Sequence, residues 1–167
     1  MYTFGCKNSD NKIGILIAQL GTPDAPTGKA LRPYLKEFLW DKRIIEKPRW
    51  LWWIILNLII LNVRPKRSAK LYARIWTEEG SPLLVYTKKL VEKLRLEYKD
   101  RDLMFRYGMR YGSNNISDAM KEMVDAGCQR VLVFNMYPHY SATTVGSNLD
   151  AVYDAAKNNR WVPSIKV

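Results

Sequence analysis

Two rhythms of apolar residues run through this chain, short unbroken runs and longer stretches spaced by three and four, and each rhythm predicts its own element. Ile13 to Leu20 (IGILIAQL) is almost wholly apolar and ends at Gly21-Thr22-Pro23, which predicts a strand buried on both faces and closed by a turn. Leu31, Tyr34, Leu35, Phe38 and Leu39 then recur at helical spacing after the possible cap Thr27, with Pro33 expected to kink that helix or delay its start. Asp41 to Pro48 breaks the pattern. Trp50 to Val63 is apolar almost all round, interrupted only by Asn57 and Asn62, so it lacks the polar face of an ordinary surface helix.

Ser68 to Trp76 and Pro82 to Tyr98 read as helices separated by a turn at Thr77-Glu78-Glu79-Gly80-Ser81. Pro82 suits a first helical turn. Leu103 to Tyr111 alternates, with Leu103, Phe105, Tyr107, Met109 and Tyr111 on one side and Arg106 and Arg110 on the other, the period of a strand. Ile116, Ala119, Met120, Met123 and Val124 form a clear helical stripe between Asn114 or Asn115 and Gly127. Val131 to Met136 predicts another buried strand, Asn148 to Ala156 another helix, and Pro163 to Val167 the opening of a further strand. Strand and helix in alternation predict an α/β fold, a parallel sheet with helices on both faces.

Composition narrows the partners. The 27 basic and 16 acidic side chains leave a net charge of +11, which favours a nucleic acid, an anionic membrane face or a carboxylated small molecule. The basic residues flank an apolar segment and do not interleave with stacking aromatics along a strand face, so nucleic acid is not expected. Cys6 and Cys128 have no metal-ligand spacing, and a reducing compartment is expected. Met1 to Lys12 reads as a tail without a signal-peptide pattern, and Trp50 to Val63 falls short of the ~20 residues needed to span a bilayer.

Ligands of open parallel sheets bind beyond the carboxyl ends of the strands. That rule brings together Gln19 to Pro23, Arg110-Tyr111-Gly112 and the loop Tyr137-Pro138-His139-Tyr140-Ser141-Ala142-Thr143-Thr144-Val145-Gly146-Ser147. The loop's hydroxyls and rings suit a flat, partly polar ligand; equally, such hydroxyls can serve only to cap the next helix.

Four segments, in order, carry a more specific likeness. Leu20-Gly21-Thr22-Pro23, Ile75 to Leu83 (IWTEEGSPL), Met109-Arg110-Tyr111-Gly112 and Tyr137 to Ser147 resemble consecutive motifs of the ferrochelatases, enzymes that insert ferrous iron into a porphyrin. The resemblance runs from about Ile13 to Val167 and implies a chelatase-like, Rossmann-like half-domain at 13–167, the amino-terminal one of two halves that enclose the porphyrin. It implies that Leu20 lies near the macrocycle, that Arg110 and Tyr111 line the pocket floor, that Tyr137 and Thr143 line its wall, and that the turn at Ser81 is close to the substrate. It also matches residues 50–63 to a hydrophobic lip, with Trp50, Trp52, Trp53, Ile54, Ile55 and Leu58 facing the pocket mouth or a membrane. Tryptophans beside Lys47, Arg49, Arg64, Lys66 and Arg67 independently suit an interface with anionic lipid.

Two departures shape the chemistry. The family's histidine of the Ser-x-His motif, with its later glutamate, has no counterpart in this sequence. His139 stands where the family usually has glutamine, so no catalytic or metal-ligating residue is expected in this chain. Ala142 stands where cluster-bearing relatives have cysteine, and two thiols fall short of the ~4 an iron–sulfur cluster takes; no bound cofactor is expected. The partners so implied are porphyrin, an anionic membrane surface and a carboxyl-terminal half that this chain lacks, and the place is the cytoplasm, peripheral to the inner membrane. A tetrapyrrole- or anion-binding module without catalysis is the alternative reading.

Overall fold

The computed structural model describes residues 12–167; the tail up to Asn11, with Cys6, lies outside the described residues. Four strands, β1 (Ile13–Gly21), β2 (Leu103–Tyr111), β3 (Arg130–Asn135) and β4 (Ser164–Lys166), form one all-parallel sheet in the order β2-β1-β3-β4. Ile13 lies opposite Leu103 on one side and Arg130 on the other, so the central β1 is paired along both edges. A central parallel strand needs apolar side chains on both faces, and β1 has them. Leu16 and Ala18 pack with Val131 and Val133 beneath α5 (Ile116–Asp125) and α6 (Ser147–Lys157). Ile15 and Ile17 pack with Phe105 against Val91, Leu90 and Leu94 of α4 (Pro82–Glu97).

A third cluster joins α1 (Gly28–Trp40) to the lip segment and to Tyr111. Thr27 caps α1 as its sequence suggests, its hydroxyl accepting from Ala30 N–H at 3.3 Å. Pro33 does not delay the start of the helix, which runs from Gly28 through it to Trp40. Leu31, Tyr34, Leu35 and Leu39 are all buried, and that continuous apolar stripe outweighs the single bond proline forfeits. Asn115 caps α5 through Asp118 N–H, and Gly127, at φ +82°, closes it.

Two expectations change. The lip and the helix after it are one continuous helical run: α2 (Arg49–Ile54), a π-helical turn over Ile55–Ile60 and α3 (Leu61–Ile75) follow without a break. The i→i+5 bonding of the π turn takes the buried line from Leu56 to Leu61, where it continues to Pro65 and Ala69. Strand β3 is buried on one face only. Val131 and Val133 are covered, whereas Leu132 and Phe134 are 37% and 54% exposed, because α4 covers β2 and β1 and no described helix lies over β3 on that side. The result is an apolar groove of about 400 Å³ between α4 and β3, reaching from Leu94 to Phe134 and Met136.

Glycine is required where β1 meets β2 at the carboxyl end of the sheet. Gly21 has φ +112°, and a Cβ there would stand 2.1 Å from the Tyr111 carbonyl oxygen. Both the left-handed backbone and the contact exclude a side chain.

Candidate functional site

The three segments singled out in the sequence converge at that carboxyl end. Leu20 N–H donates to the Tyr137 hydroxyl at 3.0 Å, joining the end of β1 to the loop after β3. Burial raises the Tyr137 pKa, partly offset by the Leu20 N–H. The phenol therefore stays neutral and keeps a proton to donate. Thr143 sits in a second π-helical turn, Ala142–Gly146, and shares a 3.0 Å hydrogen bond with Ser141. Such turns recur where side chains must be re-aimed into a site. Ser81 is buried at the start of α4, its hydroxyl accepting from Thr22 Oγ1 at 2.8 Å, which ties that turn to the end of β1.

Arg110, at the end of β2, is held on several sides. Its Nε donates to Ser147 Oγ at 2.7 Å, its Nη2 donates to Asp41 Oδ2 at 2.8 Å, and its guanidinium lies 4.8 Å from the centre of the Tyr111 ring. Nη1 makes no hydrogen bond in this set. Tyr111 itself is fully buried, its ring edge-on to Phe38 at 5.2 Å, so, contrary to expectation, its ring lines no exposed surface. Its hydroxyl donates to Asp41 at 2.7 Å. Burial above all raises its pKa; the Ser147 hydrogen bond opposes this, the adjacent Asp41 carboxylate adds to the rise, and the Arg110 charge lowers it slightly.

Asp41 is the residue sequence reasoning missed. Its carboxylate accepts from Ser147 Oγ at 2.5 Å, Tyr111 Oη at 2.7 Å, Arg110 Nη2 at 2.8 Å and, on Oδ1, Arg43 N–H at 2.7 Å. Burial alone pushes its pKa up, but the donors from Ser147, Tyr111 and Arg43 and the Arg110 charge outweigh it and hold the carboxyl below its ordinary value. The only hint in the sequence was its place at the break after an amphipathic helix.

Two lip residues do not face outward. Trp52 is 9% exposed and donates Nε1–H to the Leu39 carbonyl at 2.7 Å, and Ile55 packs against the same α1 cluster. Trp50, Trp53, Ile54 and Leu58 are exposed, and Ile59 and Val63 join them. The segment has two apolar faces, one spent on α1 and one left open. His139 is exposed, and among the described residues no three His, Cys, Asp or Glu side chains gather as metal ligands do. No described helix is long and apolar enough to cross a membrane.

The Ferrochelatase family model matches residues 12–167. The chain is 50% identical over 157 residues to the ferrochelatase of Thioalkalivibrio sulfidiphilus, covering 92% of this chain and 42% of that protein. It is 48% identical to that of Teredinibacter turnerae, over 93% of this chain and 43% of the relative, and 50% identical to that of Nitrosomonas europaea, over 95% and 44%. The chain thus spans less than half the length of the relatives it matches. Four ordered motifs, the parallel sheet that gathers them at one end and the match across residues 12–167 lead to one conclusion: this chain belongs to the ferrochelatase family.

Proposed function

We propose that the chain forms one wall and the floor of a porphyrin pocket that serves the insertion of ferrous iron into protoporphyrin. The observation that carries this reading is the joining of separate family motifs at one sheet end, through the Leu20–Tyr137 and Arg110–Ser147 hydrogen bonds. Tyr137 offers a neutral hydroxyl, Arg110 one guanidinium nitrogen and Leu20 an apolar surface, a combination suited to a flat ring with carboxylate substituents. Metal insertion also needs a base to take two pyrrole protons. The exposed His139 has no carboxylate partner among the described residues that would make it one, so this reading assigns neither the base nor the opposite wall to the described residues. The role of this chain is binding and orientation.

Protoporphyrin titration followed by absorbance tests the pocket. One buried ring face, at ~25 cal/mol per Å² less the loss of ligand freedom, points to micromolar or weaker affinity. Tyr137→Ala and Thr143→Ala should weaken binding with the circular-dichroism spectrum unchanged, and the exposed Lys121→Ala should not. Equal binding by all three removes the pocket from the explanation. Metal insertion by the chain at an enzymatic rate, abolished by His139→Ala, would overturn the division of labour.

The lip supports a place at the membrane surface. Trp50, Trp53, Leu58 and Ile59 present an open apolar face on a helix with basic residues before and after it, and apolar insertion and attraction to anionic lipid add. Trp53→Ser with Leu58→Ser should abolish flotation with phosphatidylglycerol vesicles, while raised salt should weaken it only in part. Undiminished flotation of the double variant would assign the contact elsewhere.

A further inference from the structure

Asp41 lies where the pocket floor and the root of the lip meet. On the floor side, its Oδ2 accepts hydrogen bonds from Arg110, Tyr111 and Ser147. On the lip side, its Oδ1 accepts from Arg43 N–H, and its own carbonyl accepts from Ile44 N–H and Ile45 N–H at 3.1 and 3.0 Å, which winds the turn that leads to α2. Arg43 carries the connection further, its guanidinium pairing with Asp150 of α6. The side chain of Asp41 is 5% exposed, so water does not substitute for these donors.

We propose that Asp41 is a positioning residue that couples the occupancy of the pocket floor to the position of the lip. It rests on the reading of Arg110 as a floor residue. The carboxylate fixes the guanidinium through Nη2, with Ser147 holding Nε, and this sets the direction of the remaining Nη1. The same carboxylate organises residues 41–45 through a separate oxygen. A ligand that binds Arg110 best in this fixed orientation must, by linkage, stabilise the wound state of the turn.

Amide hydrogen exchange with and without protoporphyrin tests the coupling on the unaltered chain. Saturating ligand should slow exchange of the Ile44 and Ile45 amides by about ten-fold and leave α5 unchanged. Asp41→Asn, close in shape but without the charge, should lower porphyrin affinity by about ten-fold and abolish that ligand-dependent protection, and Asp41→Glu should restore part of both. Binding that depends on Arg110, shown by its loss in Arg110→Lys, but leaves exchange at 44 and 45 unchanged would overturn the proposal and leave the pocket standing. So would an Asp41→Asn variant that binds as the unaltered chain does. If Asp41→Asn does not fold, the ligand-dependent exchange of the unaltered chain decides alone. Binding insensitive to Arg110→Lys removes the floor reading, and the coupling with it.

Discussion

Trp52→Ala is expected to destabilise the protein by about 3–5 kcal/mol, whereas Trp53→Ala, one residue away, should stay within about 0.5 kcal/mol. The two indoles sit on different faces of one helix, about 100° apart. Trp52 is 9% exposed within the α1 cluster, and Trp53 is 54% exposed. Truncating Trp52 opens a cavity beside Leu39 and Leu56 and removes the Nε1–H that satisfies the Leu39 carbonyl in the last turn of α1, one of the carbonyls a helix end leaves without an internal partner. Urea unfolding followed by far-ultraviolet circular dichroism distinguishes the pair. The midpoint should fall sharply for Trp52→Ala with an unchanged slope and barely move for Trp53→Ala. Equal midpoints for the two would mean that the helix packs on α1 through a different face.

Asp41→Ala should cost a similar amount, about 3–5 kcal/mol, because it leaves the partly buried Arg110 charge without its partner. The acid side of the stability curve carries a second signature. The folded carboxyl titrates below its ordinary value of about 4. Between those two values the unfolded chain binds a proton that the folded chain does not, so stability rises with pH through that window. This contribution is complete above about 4 and lost as pH falls through the folded value. Asp41→Asn should remove it, and unfolding midpoints measured between pH 2.5 and 6 in about half-unit steps should show a shallower acid limb than the unaltered chain. An identical limb would mean that the cluster does not hold Asp41 ionised.

The strands and most helices were legible because their apolar periods differ. The run Ile13 to Leu20 admits little except a two-sided strand, and Ile116 to Val124 little except a helix. Where the periodicity vanished, so did the information. Trp50 to Val63 is apolar all round, so nothing in it separates Trp52 from Trp53 or locates the π turn that re-registers the buried face. The run from Val131 to Met136 likewise does not show that one sheet face goes uncovered, since coverage depends on how many helices lie over the sheet. Motif positions were readable one by one, and the rule that parallel sheets bind at their carboxyl ends brought them together. The ion pair behind them was not readable, because Asp41 and Arg110 are 69 residues apart and neither residue's surroundings in the sequence name the other.

The bare face of β3 also governs how this polypeptide behaves as a colloid. Molecules carrying a net charge of +11 repel one another at low ionic strength, which keeps Leu132 and Phe134 of neighbouring molecules apart. Added electrolyte shortens the reach of that repulsion, and sulfate in particular strengthens the attraction between apolar surfaces. Solubility is therefore expected to fall as salt rises, and dilute buffer is the medium expected to keep the chain dispersed.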